Sequence, residues 1–120
     1  MKIGIIGSRK RTDKETIYAY VDSLNLDDIV ISGGCYGPDT WAEDRAKERN
    51  LPKPIIFKPR NPQPLETKYD MIERYYERNR KIVETSDKIV AFTSLDGKKR
   101  GGTWYTINYA KKIGKPVEIK

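Results

Sequence analysis

The chain has 120 residues, 24 Lys and Arg against 17 Asp and Glu, no His and one Cys, with a formal net charge of +7. The missing histidine removes Ser-His-Asp triads, Cys-His dyads and imidazole metal sites, and the single Cys removes zinc-thiolate clusters and intramolecular disulfides. Ile, Val, Leu and Phe total 26 of the 120 residues, above the roughly 20% level below which charged chains tend to stay disordered, so one domain over residues 1–120 with a modest core is expected. No signal peptide is legible, and no apolar run approaches the roughly 18 residues of a membrane span, which predicts a soluble cytoplasmic protein. The positive balance points to an anionic partner, although Lys/Glu/Ile-rich usage also marks heat-adapted surfaces.

Periodicity alternates between short apolar runs and amphipathic stretches. Ile3 to Ile6 reads as a first strand, followed by a helix from about Asp13 with Ile17, Tyr20, Val21 and Leu24 on one face. Ile29 to Ile31 is a second strand, and its helix opens at Gly37-Pro38-Asp39, where proline suits a first helical position. Ile55 to Phe57 is a third strand. An irregular stretch, Lys58 to Glu66, holds Pro59, Pro62 and Pro64 and leads into a long helix ending near Thr85. Lys88 to Phe92 is a fourth strand, a helix runs from about Gly102 to Ile113, and Val117 to Ile119 is a fifth strand. Strands joined by helices imply a parallel sheet covered on both faces, a Rossmann-like three-layer sandwich of strand order 3-2-1-4-5. Ligands of such sheets bind beyond the carboxyl ends of the strands, at the switch between strands one and four.

Three glycine-bearing loops fall on that edge: Gly7-Ser8-Arg9-Lys10-Arg11, Ser32-Gly33-Gly34-Cys35-Tyr36-Gly37, and Arg100-Gly101-Gly102-Thr103 opening the last helix. Glycines admit close backbone approach, helix N-termini present free amides, and Arg9 and Arg100 add forked donors, a combination that describes a phosphate site. Known phosphate motifs do not fit. Gly4 and Gly7 lack the third glycine of a dinucleotide fingerprint, and Thr103 stands where the Walker lysine would come after Gly97 to Gly102. No metal or cofactor is expected.

On the long helix, Tyr69, Ile72, Tyr76 and Val83 form the apolar stripe, and Asn79 fills its gap on the face turned to the sheet, with Arg78 and Arg80 beside it. A buried amide there either caps a loop or meets the ligand. Cys35 precedes a helix, a position that can activate a thiol, but without a histidine base it reads as a small side chain in a tight slot. Trp41, Trp104 and Tyr105 lie in first turns near the same edge, where they pack or stack on a base.

Taken in order, these loops resemble the SLOG superfamily, and within it the small YspA-like branch. The matching stretches are Ile5 to Arg9 with Thr12-Asp13, Ile31 to Asp39, Glu77-Arg78-Asn79-Arg80-Lys81, and Ala91-Phe92 through Arg100-Gly101-Gly102-Thr103 to Gly114-Lys115-Pro116-Val117. Lys58 to Tyr69 stay outside the match. The resemblance implies a Rossmann-like domain that binds a nucleotide or nucleotide derivative through Gly7, Ser8, Arg9, Ser32, Gly33, Gly34, Gly37, Arg78, Asn79, Arg100, Gly101, Gly102 and Thr103. Relatives include the LOG phosphoribohydrolases and DNA-processing protein A. The LOG pattern would place a glutamate at position 106, where this chain has Thr106. Asp39 and Asp96 are the weak substitutes, Asp39 better suited to capping and Asp96 to a turn.

Nucleotide binding, as a sensor or processing module, is therefore the leading expectation. N-glycosidic hydrolysis of nucleoside monophosphates is the first alternative. The second is single-stranded nucleic-acid binding through Lys98, Lys99, Arg100, Arg9 and Arg11 with Trp104 or Tyr105 as platforms. The surplus of Tyr69, Tyr75, Tyr76, Tyr18, Tyr20 and Tyr109 predicts a homodimer or higher even oligomer built on the long helix, as the dimeric LOG-like relatives also suggest.

Overall fold

A computed structural model describes residues 1–120. The strands are β1 (Lys2–Gly7), β2 (Ile29–Ser32), β3 (Ile55–Ile56), β4 (Lys88–Phe92) and β5 (Val117–Ile119), and the helices α1 (Lys14–Asp22), α2 (Pro38–Glu48), α3 (Lys68–Thr85) and α4 (Gly102–Lys112). All five strands are parallel, in the order β3-β2-β1-β4-β5. This is the expected α/β architecture, and it places β1 and β4 side by side at the switch point. No helix is long and apolar enough to cross a membrane.

Strand alternation divides the core in two. Ile3, Ile5, Val30, Val90 and Phe92 pack against Ile17 and Val21 of α1 and Ala42 and Ala46 of α2. Ile6, Ile31, Ile89 and Ala91 pack on the other face against Ile82 and Val83 of α3 and Ile107 and Ala110 of α4. At Gly4 a Cβ would stand 2.5 Å from Ser86 Oγ, so the end of α3 lies directly on β1.

The buried face of α3 differs from the expected stripe. It is Arg74, Arg78, Ile82 and Val83, whereas Tyr69 is 86% exposed and Ile72, Tyr76 and Asn79 are half-buried. Length explains the difference. An 18-residue helix is about 27 Å long, while the five-residue β4 spans about 17 Å. The first half of α3 therefore projects past the sheet and lies over loop carbonyls, which guanidinium forks satisfy and apolar side chains do not. Arg74 pairs with Glu66 and donates to the Arg60 carbonyl at 3.1 Å, pinning the irregular proline-bearing stretch to the helix.

Arg11, expected to face a nucleic acid, is instead buried. It pairs with Asp13 at 2.5 Å, donates to the carbonyls of Thr93 and Lys120 at 2.8 and 3.0 Å, and lies over the Phe92 ring. The tyrosines are mostly engaged within the chain. Tyr20 meets Phe92 edge to face, Tyr76 stacks on Tyr105 at 3.8 Å, Tyr18 lies beneath Lys14 and Arg45, and Tyr109 donates to Glu84.

Candidate functional site

A cleft of about 490 Å³ opens beyond the carboxyl ends of β1 and β4, within the size range of small-ligand sites. Gly7, Ser8 and Arg9 line one side, Arg100, Gly101, Gly102 and Thr103 another, and Arg78 and Asn79 reach it from α3. Asp39 and Asp96 line it as well. Ser32, Gly33, Gly34 and Gly37, expected beneath the ligand, do not. They build the support under the cleft instead.

That support is specific. Ser32 donates from its hydroxyl to Glu43, a buried acid on α2 whose carboxyl is pushed above its usual range by burial. Gly33 leaves room for Arg78: a Cβ there would stand 2.5 Å from Nη1, which donates to the Gly33 carbonyl at 2.7 Å. Gly37 has φ +106° as the N-cap of α2, a backbone shape that L side chains rarely adopt. Gly7 makes space for Pro38, whose carbons would lie 2.6 Å from a Cβ. The sequence pattern showed that these positions demand small residues without showing which neighbour demands it.

Arg78 is the centre of the floor. Its Nε donates to Asn79 Oδ1 at 2.8 Å, and its Nη2 lies 3.4 Å from Cys35 Sγ, which Arg9 approaches at 4.0 Å from the other side. Asn79 therefore turns to the cleft instead of the sheet. Its amide nitrogen lies 3.8 Å from where a Cβ of Gly102 would be. Asp39 accepts from the amides of Gly33 and Cys35 at 3.2 and 3.3 Å, tying the β2–α2 loop into a turn without capping α2. Burial, incompletely offset by those amides and by Arg78, pushes its carboxyl up to about 6. Asp96 accepts from the Lys98 amide at 2.9 Å and pairs with Lys10 at 3.5 Å, and the amide above all holds its carboxyl below the ordinary value. It shapes the β4–α4 turn.

The first turn of α4 comes directly after Gly101, which has φ +90° and provides no side-chain cap. Its amides and dipole end thus face the cleft. Five cationic side chains, Arg9, Lys10, Arg78, Lys98 and Arg100, line the cleft against the two carboxylates, giving it a positive excess. Tyr75, Tyr76 and Trp104 supply aromatic wall. The Trp104 indole nitrogen is buried and unpartnered. Trp41 packs in the α1–α2 core, and Tyr105 is taken by Tyr76 and by Arg80, which donates to its hydroxyl at 2.8 Å. Lys10, Tyr75, Ser94 and Thr106 line the cleft without having been singled out for it. Lys10 and Ser94 belong to loops already on the rim, and Glu43 sits one helical turn after Asp39 on the same face, so loop membership and i, i+4 spacing were the available signals. No cluster of three or more Cys, Asp or Glu side chains is arranged to hold a metal ion.

No protein-family model matches the sequence, and no curated protein matches it. Among solved structures, the fold is similar to the C-terminal domain, residues 78–226, of a hydrogenase from Pyrococcus furiosus, with a TM-score of 0.55 and 17% identity over 99% of this chain and 90% of that chain. At that identity the likeness shows a shared α/β fold.

Proposed function

We propose that the cleft binds a nucleotide or phosphorylated nucleotide derivative, as in a SLOG-type sensor or processing module. The observation that carries the reading is Arg78. This residue is only 5% exposed and lines the cleft, yet its guanidinium forms no salt bridge: it donates to a carbonyl and a side-chain amide, approaches a thiol and lies over the Tyr75 ring. A buried cation with no anion in direct contact is costly; Asp39 offsets it only through space, and a ligand phosphate seated between it and the uncapped α4 N-terminus would complete its neutralisation. The aromatic wall suits a base, and the cationic rim suits further anionic groups.

A thermal-shift panel of nucleotides tests this. Ligand at about a hundred times its Kd adds about 2.7 kcal/mol, or on the order of 10 °C for a domain of this size. Gly102→Asp, which puts a carboxylate at the helix N-terminus, and Arg9→Ala should abolish the shift. No response to any nucleotide at millimolar concentration would refute the reading.

Chromatography of the same mixtures reads turnover. Thr106, at the position of the LOG glutamate, is buried and donates to the Gly102 carbonyl at 2.8 Å, so binding without release of free base is expected. Nucleic-acid binding loses Arg11 and Tyr105 to the fold, and steep weakening of oligonucleotide affinity with salt would revive it. Even-numbered self-association through α3 now rests on Tyr69 and on Leu65, the latter fully exposed just before the helix. Light scattering tests it, with a mass of one 13.9 kDa chain counting against it.

A further inference from the structure

One end of the cleft floor is built for anions, and the other end is built differently. From Gly102 the floor passes to the Asn79 amide, then to Arg78, then to Cys35, and ends at Asp39. A phosphate seated at Gly102 is separated from Asp39 by the side chains of Asn79 and Arg78. The sugar of a nucleotide is bonded directly to its phosphate, so the sugar is the part carried over Arg78 toward Asp39.

Asp39 is a carboxylate in a cleft whose other charged groups are mostly cations, and it is only 7% exposed. Its two oxygens are not equivalent. Oδ2 accepts from two loop amides, whereas Oδ1 accepts no hydrogen bond from the chain. Oδ1 is an unpartnered oxygen on a largely buried side chain that keeps a little accessible surface in the cleft, where it repels a second phosphate and is complemented by a neutral donor.

We propose that Asp39 Oδ1 accepts a hydrogen bond from a sugar hydroxyl of the bound nucleotide, so that the cleft selects ribose-bearing ligands by their hydroxyls and holds their phosphate at Gly102. This assignment rests on the nucleotide reading above. It makes Asp39 a specificity residue, because an acceptor that the bound ligand covers rejects the analogue that leaves it unpaired. Asp39 also ties the β2–α2 loop, so the test needs a variant that keeps that role. Asp39→Asn does so: its carbonyl oxygen accepts from the same amides, and its amide nitrogen presents a donor where the wild type presents an acceptor.

The experiment is calorimetric titration of the full chain at about pH 7.5 with the four ribonucleoside 5′-monophosphates, their 2′,3′-dideoxy counterparts and inorganic phosphate, in wild type and Asp39→Asn. The expected result is that the ribonucleotides that bind do so about ten- to a hundredfold more tightly than their dideoxy forms in the wild type, with the ratio falling severalfold in the variant, where a neutral amide donor meets the hydroxyl oxygen in place of a charged acceptor. Equal wild-type affinities for ribo and dideoxy forms overturn this assignment and leave the nucleotide reading standing. A wild-type preference that persists undiminished in Asp39→Asn also overturns it. Failure of every nucleotide to bind overturns the nucleotide reading and this one with it. The wild-type ratio alone is decisive if the variant does not fold.

Discussion

Replacing Asp39 by Asn should change how stability depends on pH, by an amount the structure sets. Burial raises the Asp39 carboxyl from its ordinary 3.8 to about 6, against the opposing pull of the Cys35 amide and Arg78. At ~1.36 kcal/mol per pH unit, that rise corresponds to about 3 kcal/mol. The folded state binds this proton more tightly than the unfolded state does. The contribution to stability is therefore full below about pH 3.8, and is lost as pH rises through about 6. Asn does not titrate, so the stability advantage of Asp39→Asn over wild type should grow by about 2 to 3 kcal/mol between about pH 4 and pH 7.5. Urea denaturation across that range reads the difference as a change of roughly 1 to 3 M in the gap between midpoints. Asp13, Asp22, Asp70 and Asp96, whose carboxyls are held low, have the opposite pH dependence and are present in both proteins, so they cancel in the difference. Glu43, pushed up by burial, keeps its own titration in both. Two stability curves that run parallel from pH 4 to 7.5 would show that the carboxyl is solvated in the fold and refute the reasoning.

Gly33→Ala drives a Cβ to within 2.5 Å of Arg78 Nη1 and 2.7 Å of its Cζ. It should cost about 1 to 3 kcal/mol in urea denaturation and remove nucleotide-induced stabilisation, while unchanged stability would mean that Arg78 is free to move. Arg11→Met strips donors from two carbonyls and the Asp13 carboxylate. A loss of about 2 kcal/mol or more is expected by the same assay, with oligonucleotide affinity unaltered; a loss confined to oligonucleotide binding would return Arg11 to the surface. Alkylation of Cys35 by iodoacetamide, followed by mass spectrometry, should slow severalfold under saturating nucleotide because the thiol lines the cleft. Equal rates with and without nucleotide would place the ligand elsewhere.

The alternation of apolar runs with amphipathic stretches was enough to determine nine elements, their parallel order and the edge on which the glycine-bearing loops converge. Those properties depend on side-chain periodicity and chain connectivity, which are local or topological. The glycine-rich loops were equally legible as places where backbone must turn or come close. The tertiary structure decided which residues those loops serve. Ser32, Gly33, Gly34 and Gly37 turned out to support the cleft, because α2 and Arg78 occupy the space beside them. Arg11, Arg74 and Arg78 are buried although helical or loop patterning reads arginine as outward-facing. An arginine goes inside where the fold gathers enough acceptors around one guanidinium, and those acceptors come from afar: the Gly33 carbonyl lies 45 residues from Arg78, and the Thr93 and Lys120 carbonyls lie 82 and 109 residues from Arg11. Arg74 finds its acceptors 8 and 14 residues away, but no window of sequence contains the sets around Arg11 and Arg78, so their burial, and with it a cation lacking a salt bridge at the floor of the cleft, exists only once the sheet and its helices have assembled.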